Sequence, residues 1–273
     1  MKKVLLSQGS IYYSHMRSEN VPENMNSRHC HDRYEILYIA EGSGKYIVEG
    51  AEYPVRARTL MIFPPLVYHC VSVDVGTVYE RSVLHFDEKD VECLGKEIID
   101  AFNGAEDGAG VFYSAESISD SVTSIFEKLE ASESLPEHER CIFMRLLTSE
   151  LLLLLSVAKK EKGLFDEGEL GARVIKYLNE HIDKDISLDK LAKRFFVSKY
   201  YLCRAFKKHN GISVHGYINQ KRVMYAKQLI ESGETASGAA YRVGFGDYSA
   251  FYRAYVKLVG RSPMALEDGK ESR

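Results

Sequence analysis

The stretch Ser187–Gly211, SLDKLAKRFFVSKYYLCRAFKKHNG, decides the fold of the C-terminal part of this 273-residue chain. Its apolar residues recur at helical spacing on both sides of a short interruption at Phe196-Val197. Ser187 and Ser198 each precede a helical segment as an N-cap, and Gly211 follows the second segment as a left-handed C-cap. The pattern therefore predicts two short helices joined by a tight turn.

The second of these predicted helices has two different faces. Leu202, Ala205 and Phe206 form its inner face. The other positions carry basic and aromatic side chains that point outward, namely Lys199, Tyr200, Arg204, Lys207 and Lys208. A solvated surface is the common explanation for such charges, but a helix of this kind, held across a tight turn by a first helix, also fits the major groove of DNA.

The same pattern recurs closer to the C-terminus. A longer helix is predicted at about 213–232, and Thr235–Val243, a turn at 244–247 and Tyr248–Leu258 then repeat the two short helices. In the last helix Phe251 and Tyr255 face inward, whereas Arg253 and Lys257 face outward. We infer an internal repeat of two helix-turn-helix units joined by a long helix.

The charge distribution agrees with a nucleic-acid partner. The net charge of −3 hides an acidic front, in which residues 1–170 carry 17 Lys and Arg against 29 Asp and Glu. Residues 171–273 carry 19 basic and 10 acidic residues. A basic segment joined to an acidic one is typical of nucleic-acid binding, although chance clustering of charges on solvated faces gives the same pattern.

The first half of the chain predicts strands and then helices. Turn residues separate strand segments at Tyr34–Tyr38, Lys45–Glu49, Leu60–Phe63, Cys70–Val75 and Val78–Phe86. Helical periodicity follows at Val91–Phe102, Ser117–Ala131 and Pro136–Lys160. We predict an α+β chain with a β-barrel and following helices at 1–161, a linker at 162–171 and an all-α domain at 172–273. Residues 1–27 are interpreted as an arm over the mouth of the barrel.

Histidines and one glutamate gather near the first predicted strand. His29, His31 and Glu35 share one parity, so an extended strand would point them to one face, and His69 follows Pro64-Pro65. Three imidazoles and a carboxylate suit a divalent transition metal. The other interpretations are a small-molecule pocket, which we favour, and purely structural residues. Tyr38, Tyr46 and Arg56 are added as pocket residues, whose chemistry suits a sugar or a small carboxylate.

The helical half resembles the AraC/XylS family of transcription regulators over residues 173–266. The residues that carry the resemblance include Leu188, Leu191-Ala192, Ser198, Arg204, Arg222, Val243-Gly244-Phe245, Arg253 and Ser262-Pro263. The first half resembles a reduced cupin domain, because HxHxxxE at 29–35 is followed by Gly42, and His69 lies at the expected offset. Arg58 and Leu66 replace the glycines of the second cupin motif, which indicates that the metal-binding loop geometry has changed.

The resemblance implies a sequence-specific regulator, more often an activator, whose DNA binding a small molecule modulates. Both second helices would enter successive segments of the major groove. The implied DNA contacts are Ser198, Lys199, Tyr200, Arg204, Lys207, Lys208, Asp247, Tyr248, Ser249, Arg253 and Lys257. The chain departs from the family at Ala236, Gly238 and Ala239, and glycine inside a helix costs about 1 kcal/mol relative to alanine.

Partners and location follow from weaker signals. The longest apolar run, Leu151–Leu155, is too short for a membrane span, and no secretory leader is recognised, so we expect a cytoplasmic protein with five reduced cysteines. We expect a homodimer formed through the helices at 117–160, RNA polymerase as a partner if the protein activates, and no cofactor unless the histidine set holds a divalent metal. The competing functions are a metal-dependent cupin enzyme with an appended helical domain, and a DNA-binding protein that responds to a partner protein.

Overall fold

The computed structural model describes residues 2–8, 11–21, 29–103, 110–161 and 169–264. The chain forms two compact units, one made of Met1–Ser27 and Arg33–Leu164 and the other of Arg28–Asp32 and Phe165–Arg273. Most of the predicted linker at 162–171 lies outside the described residues, and its last residues belong to a helix that begins at Leu170.

The described part of the first unit contains nine strands and three α-helices. The strands are β1 (Lys2–Gln8), β2 (Ile11–Ser18), β3 (Tyr34–Glu41), β4 (Gly44–Val48), β5 (Ala51–Val55), β6 (Thr59–Phe63), β7 (His69–Val73), β8 (Tyr79–Phe86) and β9 (Val111–Tyr113). The helices are α1 (Lys96–Asn103), α2 (Asp120–Ala131) and α3 (Glu137–Val157). The antiparallel strands form a six-stranded sheet in the order β1-β2-β8-β3-β6-β9 and a three-stranded sheet in the order β5-β4-β7.

The six-stranded sheet is buried on both faces at its central strand β3. On one face, Ile36 and Tyr38 join the apolar core that α1, α2 and α3 cover. On the other face, the ring of Tyr46 from β4 meets Phe63 and Phe112 edge-on, with ring centroids 6.4 and 6.3 Å apart. Six successive residues of β3, Tyr34–Ile39, are consequently buried, without the alternation that a half-exposed strand shows. We call the two facing sheets the barrel.

Two parts of the barrel differ from the sequence prediction. The described residues of the predicted arm, 2–8 and 11–21, are part of the sheet instead, because β1 and β2 are paired in register with each other and β2 lies beside β8. The strand β5 was not predicted, because Pro54 and the preceding turn residues argue against a strand. Pro54 is tolerated because β5 is an edge strand, where a missing backbone N–H donor breaks no hydrogen-bond ladder.

The second unit contains six α-helices among its described residues. They are α4 (Leu170–Glu180), α5 (Leu188–Arg194), α6 (Lys199–Asn210), α7 (Val214–Glu231), α8 (Ala236–Arg242) and α9 (Tyr248–Val259). The short segment Arg28–Asp32 is grouped with them, and the carboxylate of Asp32 forms an ion pair with Lys227 of α7. No helix in the described ranges is both long and apolar enough to cross a membrane.

The alanines of α8 are core residues. Ala236, Ala239 and Ala240 are buried in one cluster with Val223 and Ala226 of α7. Small side chains let the backbones of two packed helices approach closely, so the loss of larger apolar residues at these positions is compatible with a packed second repeat. Gly238 lies in the first turn of α8 and donates its N–H to the hydroxyl of Thr235 at 3.1 Å.

Candidate DNA interface and barrel polar cluster

Four capping interactions define the two helix-turn-helix units. The hydroxyl of Ser187 accepts the N–H of Lys190 at 3.2 Å, and that of Ser198 accepts the N–H of Tyr201 at 3.2 Å. In the second unit Thr235 caps α8, and the carboxylate of Asp247 accepts two backbone N–H groups at the start of α9. Capping by Ser, Thr and Asp satisfies orphan donors and fixes where each helix begins.

The two turns are closed by the same backbone hydrogen bond and contain a left-handed residue at the same place. The N–H of Val197 returns to the carbonyl of Ala192 at 3.0 Å, and the N–H of Phe245 returns to that of Ala240 at 3.0 Å. The residue before each donor is left-handed, with φ of 55° at Phe196 and 92° at Gly244. Gly246 makes the second turn one residue longer before its cap. The internal repeat predicted from the sequence is therefore present in the backbone.

The outward faces of α6 and α9 also correspond. Arg204 and Lys208 on α6 occupy the same positions as Arg253 and Lys257 on α9, counted from the buried Leu202 and Phe251. These four side chains and Lys207 are exposed. Among the described residues no ion pair engages any of the five. Two helices thus present cations at matching positions, which is what contact with two phosphate backbones requires.

Several predicted contact residues also make interactions within the helical unit. Ser198 and Asp247 use their side chains to cap helices, and a carboxylate such as that of Asp247 would repel phosphate. Lys199 forms an ion pair with Asp189 at 2.9 Å. Tyr248 is half-buried, with its ring centroid 5.7 Å from that of Phe251. Tyr200 and Ser249 are exposed as predicted.

Two exposed aromatic residues were not singled out from the sequence. Tyr201 on α6 and Tyr252 on α9 are 57% and 41% exposed. Both neighbour inward-facing positions in the helical pattern, so periodicity alone assigns them no clear face. Their exposure adds aromatic surface beside the cations of each helix.

In the barrel, Glu35 lies between two histidines. Its carboxylate is 2.8 Å from Nε2 of His85 and 3.6 Å from Nε2 of His69, and it is almost fully buried. The position of His85 follows from register, because β8 places it directly opposite Glu35 of β3. His85 was missed in the sequence, although the parity of the strand Tyr79–Phe86 could have found it.

The predicted four-residue donor set divides between the two units. Glu35 and His69 lie in the barrel, where the carboxylate is 3.6 Å from Nε2 of His69, whereas His29 and His31 belong to the segment Arg28–Asp32 that is grouped with the helical unit. His69 directs Nδ1 to the carbonyl of Val67 at 2.9 Å, which favours the tautomer with the proton on Nδ1 and the lone pair on Nε2. A backbone carbonyl that orients a histidine in this way is common around metal ions.

The loops of the second cupin motif are left-handed where glycines are missing. Arg58 and Leu66, which replace glycines, have φ of 62° and 68°. At these two residues the chain therefore adopts a backbone conformation that glycine favours. Hydrogen bonds hold the loops instead, including one from the N–H of Arg58 to the carbonyl of Ile39 at 2.7 Å.

Of the three additional residues predicted to line the pocket, one faces the barrel interior and two do not. Tyr38 lies on the opposite face of β3 from Glu35, where it stacks on Phe126 of α2 with centroids 4.5 Å apart, so it does not line the barrel interior. Arg56 is exposed and does not line it either. Tyr46 faces the interior, and burial raises the pKa of its hydroxyl well above the ordinary value. Burial also raises the pKa of the neighbouring Tyr79 to about 12, so both phenols stay neutral.

Comparison with known proteins gives a family. Residues 17–155, more than half of the chain, match the family described as the AraC-like ligand binding domain, and residues 191–268 match a helix-turn-helix domain. The chain belongs to the AraC family.

AraC-family relatives cover most of the chain. It is similar to the HTH-type transcriptional activator RhaS of Enterobacter sp. (strain 638), with 23% identity over 92% of this chain and 91% of that protein. It is also similar to the uncharacterized HTH-type transcriptional regulator YbfI of Bacillus subtilis (strain 168), with 27% identity over 81% of this chain and 79% of that protein. Among solved structures, ToxT of Vibrio cholerae matches 94% of this chain and 98% of its own at 14% identity, with a TM-score of 0.39.

The family assignment gives each unit a role. The barrel with α1–α3 is an AraC-type ligand-binding domain, and α4–α9 carry a DNA-binding domain with two helix-turn-helix units. The chain is a DNA-binding transcription regulator. The two relatives named above are transcription regulators.

The exposed arginines provide a direct test of the interface. We expect Arg204→Ala and Arg253→Ala each to weaken specific binding by about 1–3 kcal/mol, since a bidentate arginine–guanine contact is worth that much discrimination. Fluorescence anisotropy with a specific and a random duplex measures the loss. Arg242→Ala is the control, because Arg242 is exposed on α8 and paired with Glu234 at 2.9 Å. Equal losses on both duplexes would assign phosphate contacts, and no loss on either would contradict the interface.

Proposed function

We propose that this AraC-family chain is a transcription activator that binds a specific operator through α6 and α9 and is regulated by a ligand in the barrel. The observation that carries the proposal is the repeated cationic face, with Arg204 and Lys208 on one helix and Arg253 and Lys257 on the other. Within the described residues these four side chains form no ion pair, so both faces are available to DNA.

Two matching faces suit two successive segments of the major groove. Arginine and lysine at equivalent positions let each helix take the same position against the phosphates, while the residues around them differ and supply sequence preference. Tyr200 on α6 stands where α9 has Ser249, and Cys203 stands where α9 has Tyr252. We therefore propose that the two half-operators have different sequences.

Activation and its partner are the finer part of the proposal. The relative named RhaS is a transcriptional activator. We propose the same output here, with RNA polymerase as the protein partner at the promoter. A ligand can change that output only if it binds the DNA-bound and unbound states with different affinity.

A titration of the full chain against DNA upstream of its own gene tests the proposal. We expect tight binding to one upstream fragment and weak binding to a random duplex in fluorescence anisotropy. Each neutralised phosphate contributes about −0.9 to the slope of log affinity against log salt, so five cations give a slope of about −4 to −5. The same affinity with every fragment and with random DNA would contradict a sequence-specific regulator, and the chemistry of the barrel, including that of a metal-dependent enzyme, would then become the leading function.

An apolar stripe on α3 supports a dimer. Ile142, Leu146, Leu153 and Val157 follow each other at spacings of four, seven and four residues and are 49%, 64%, 47% and 86% exposed. With 3.6 residues per turn, these spacings place the four side chains on one stripe of the helix, which two copies of the chain can pair across a twofold seam. We propose that a second copy of this chain covers the stripe.

The dimer is tested by sedimentation of the full chain at micromolar concentration. We expect a dimer for the native chain and a dissociation constant raised by at least about tenfold in Leu146→Asp, because a charge in the seam must be desolvated. Val75→Asp places the same charge on an apolar residue that is 61% exposed and lies outside α3, so it should leave the dimer intact. A monomeric native chain, or equal effects of the two variants, would contradict the proposal.

The donor set in the barrel favours a divalent transition metal as a ligand. The Glu35 carboxylate is buried and lies 2.8 Å from Nε2 of His85 and 3.6 Å from Nε2 of His69, whose Nδ1 faces the carbonyl of Val67. Imidazoles around a carboxylate are a donor set that suits a divalent transition metal. A metal held by Glu35 and His69, with His29 and His31 of the sequence motif as its other donors, would also give a small-molecule effector with hydroxyl or carboxylate groups an anchor.

Metal analysis of the purified chain tests this ligand. After incubation with Ni²⁺ or Zn²⁺ and removal of loosely bound ions, we expect about one equivalent per chain, held by a set typical of these ions. His31→Ala should lose most of it. His138→Ala removes an exposed histidine at the start of α3 and should keep it. Equal metal content in both variants would show that the donor set does not bind the ion.

A further inference from the structure

The guanidinium of Arg222 joins three parts of the helical unit. From the middle of α7, its Nε donates to the carbonyl of Ile182 at 2.8 Å and its Nη2 donates to that of Lys184 at 2.6 Å. Its Nη1 donates to the carbonyl of Gly244 at 2.6 Å. Ile182 and Lys184 lie in the loop that leads into α5, and Gly244 lies in the turn between α8 and α9.

These contacts connect the two helix-turn-helix units directly. The loop at 181–187 ends at the cap of α5, the first helix of the first unit. The turn at Gly244 lies three residues before the cap of α9, the second DNA-contacting helix. One side chain therefore holds the entry of the first unit against the turn of the second, in addition to the covalent connection through α7.

The surroundings of Arg222 are built for this side chain. A methyl group at Gly244 would lie 2.8 Å from Nη2 of Arg222 and 2.8 Å from the carbonyl oxygen of Asp183. The guanidinium also lies 6.0 Å from the ring centroid of Phe245. Burial lowers the pKa of Arg222, but a guanidinium remains charged in proteins, so its hydrogen bonds to carbonyls are charge-assisted.

We propose that Arg222 is a positioning residue that sets the relative orientation of α6 and α9 and thereby the spacing of the two half-operators that the protein accepts. Binding to two sites through one protein is strong only when the geometry permits both contacts together. A rigid connection between the units makes one spacing favourable and others unfavourable. This inference rests on the proposed operator binding and adds the residue that controls spacing.

Spacing discrimination is the measurement that tests the role. The probes are the tightest duplex recovered from random DNA by selection with the full native chain, its two half-operators mapped by footprinting, and the same duplex with one base pair inserted between them. Each base pair moves the second half-operator by about 3.4 Å along the axis. We expect the native chain to lose at least about tenfold in affinity on the inserted duplex, which corresponds to about 1.4 kcal/mol.

In Arg222→Met we expect weaker binding to the original duplex and a loss on insertion of less than about threefold, since the units are then free to adjust. Arg222→Lys should behave like Arg222→Met, because an ammonium group does not reproduce the planar fork that reaches three carbonyls. A variant that is merely less stable lowers the affinity for both duplexes in proportion and leaves their ratio unchanged. Circular dichroism at the temperature of the titration establishes that each variant is folded.

Two glycine variants provide an independent pair. Gly244→Ala displaces Arg222 without altering it, and we expect the same loss of spacing discrimination. Gly246→Ala lies in the same turn, where a methyl group would meet nothing within 4 Å, and should discriminate like the native chain. Native discrimination in both Arg222→Met and Gly244→Ala would overturn the proposal. A failure of the native chain to select any duplex would instead contradict the proposed function.

Discussion

The first unit depends on burial of one sheet on both of its faces. The strand β3 sends Ile36 and Tyr38 towards the helices and Glu35 towards the three-stranded sheet, so its alternation separates the helix-covered core from the barrel interior. Neighbouring strands inherit that division through their register, which is why His85 meets Glu35. A shift of one residue in register would exchange the two faces of β3 and place its carboxylate in the helix-covered core.

In the second unit the corresponding constraint is the close approach of short helices. Each unit packs a first helix with a small residue, Ala192 or Ala240, at the point where the turn returns to it. The buried aromatic residues of the second helices, Phe206 and Tyr255, complete the two cores. Because packing uses only the inner face, the outer face is free to carry cations at equivalent positions, and the repeat of the core entails a repeat of the DNA-binding surface.

Much of the helical unit could be predicted from the sequence, because its information is local. Caps at Ser187 and Ser198 and the glycine Gly211 mark helix boundaries, and α7 was placed to within one residue at each end. The barrel was harder, since pairing is non-local. Parity places Tyr38 and Glu35 on opposite faces of β3, but because both faces are buried it could not show which of them borders the barrel interior. Nor could it show that β1 and β2 extend the sheet, because pairing between them and β8 spans much of the domain.

The positions of glycines predicted left-handed backbone less reliably than the hydrogen bonds around each turn do. At Arg58, Leu66 and Phe196 the chain adopts left-handed backbone without glycine, although this costs an L-residue roughly 1–2 kcal/mol. Phe196 shows the reason most clearly. It is 94% exposed, so packing does not compensate the strain, yet the hydrogen bond from Val197 to Ala192 closes the turn as the glycine-containing second turn does. The hydrogen bonds of the flanking residues determine the backbone conformation at such positions. A missing glycine in a motif therefore indicates backbone strain, and does not by itself indicate a different backbone conformation.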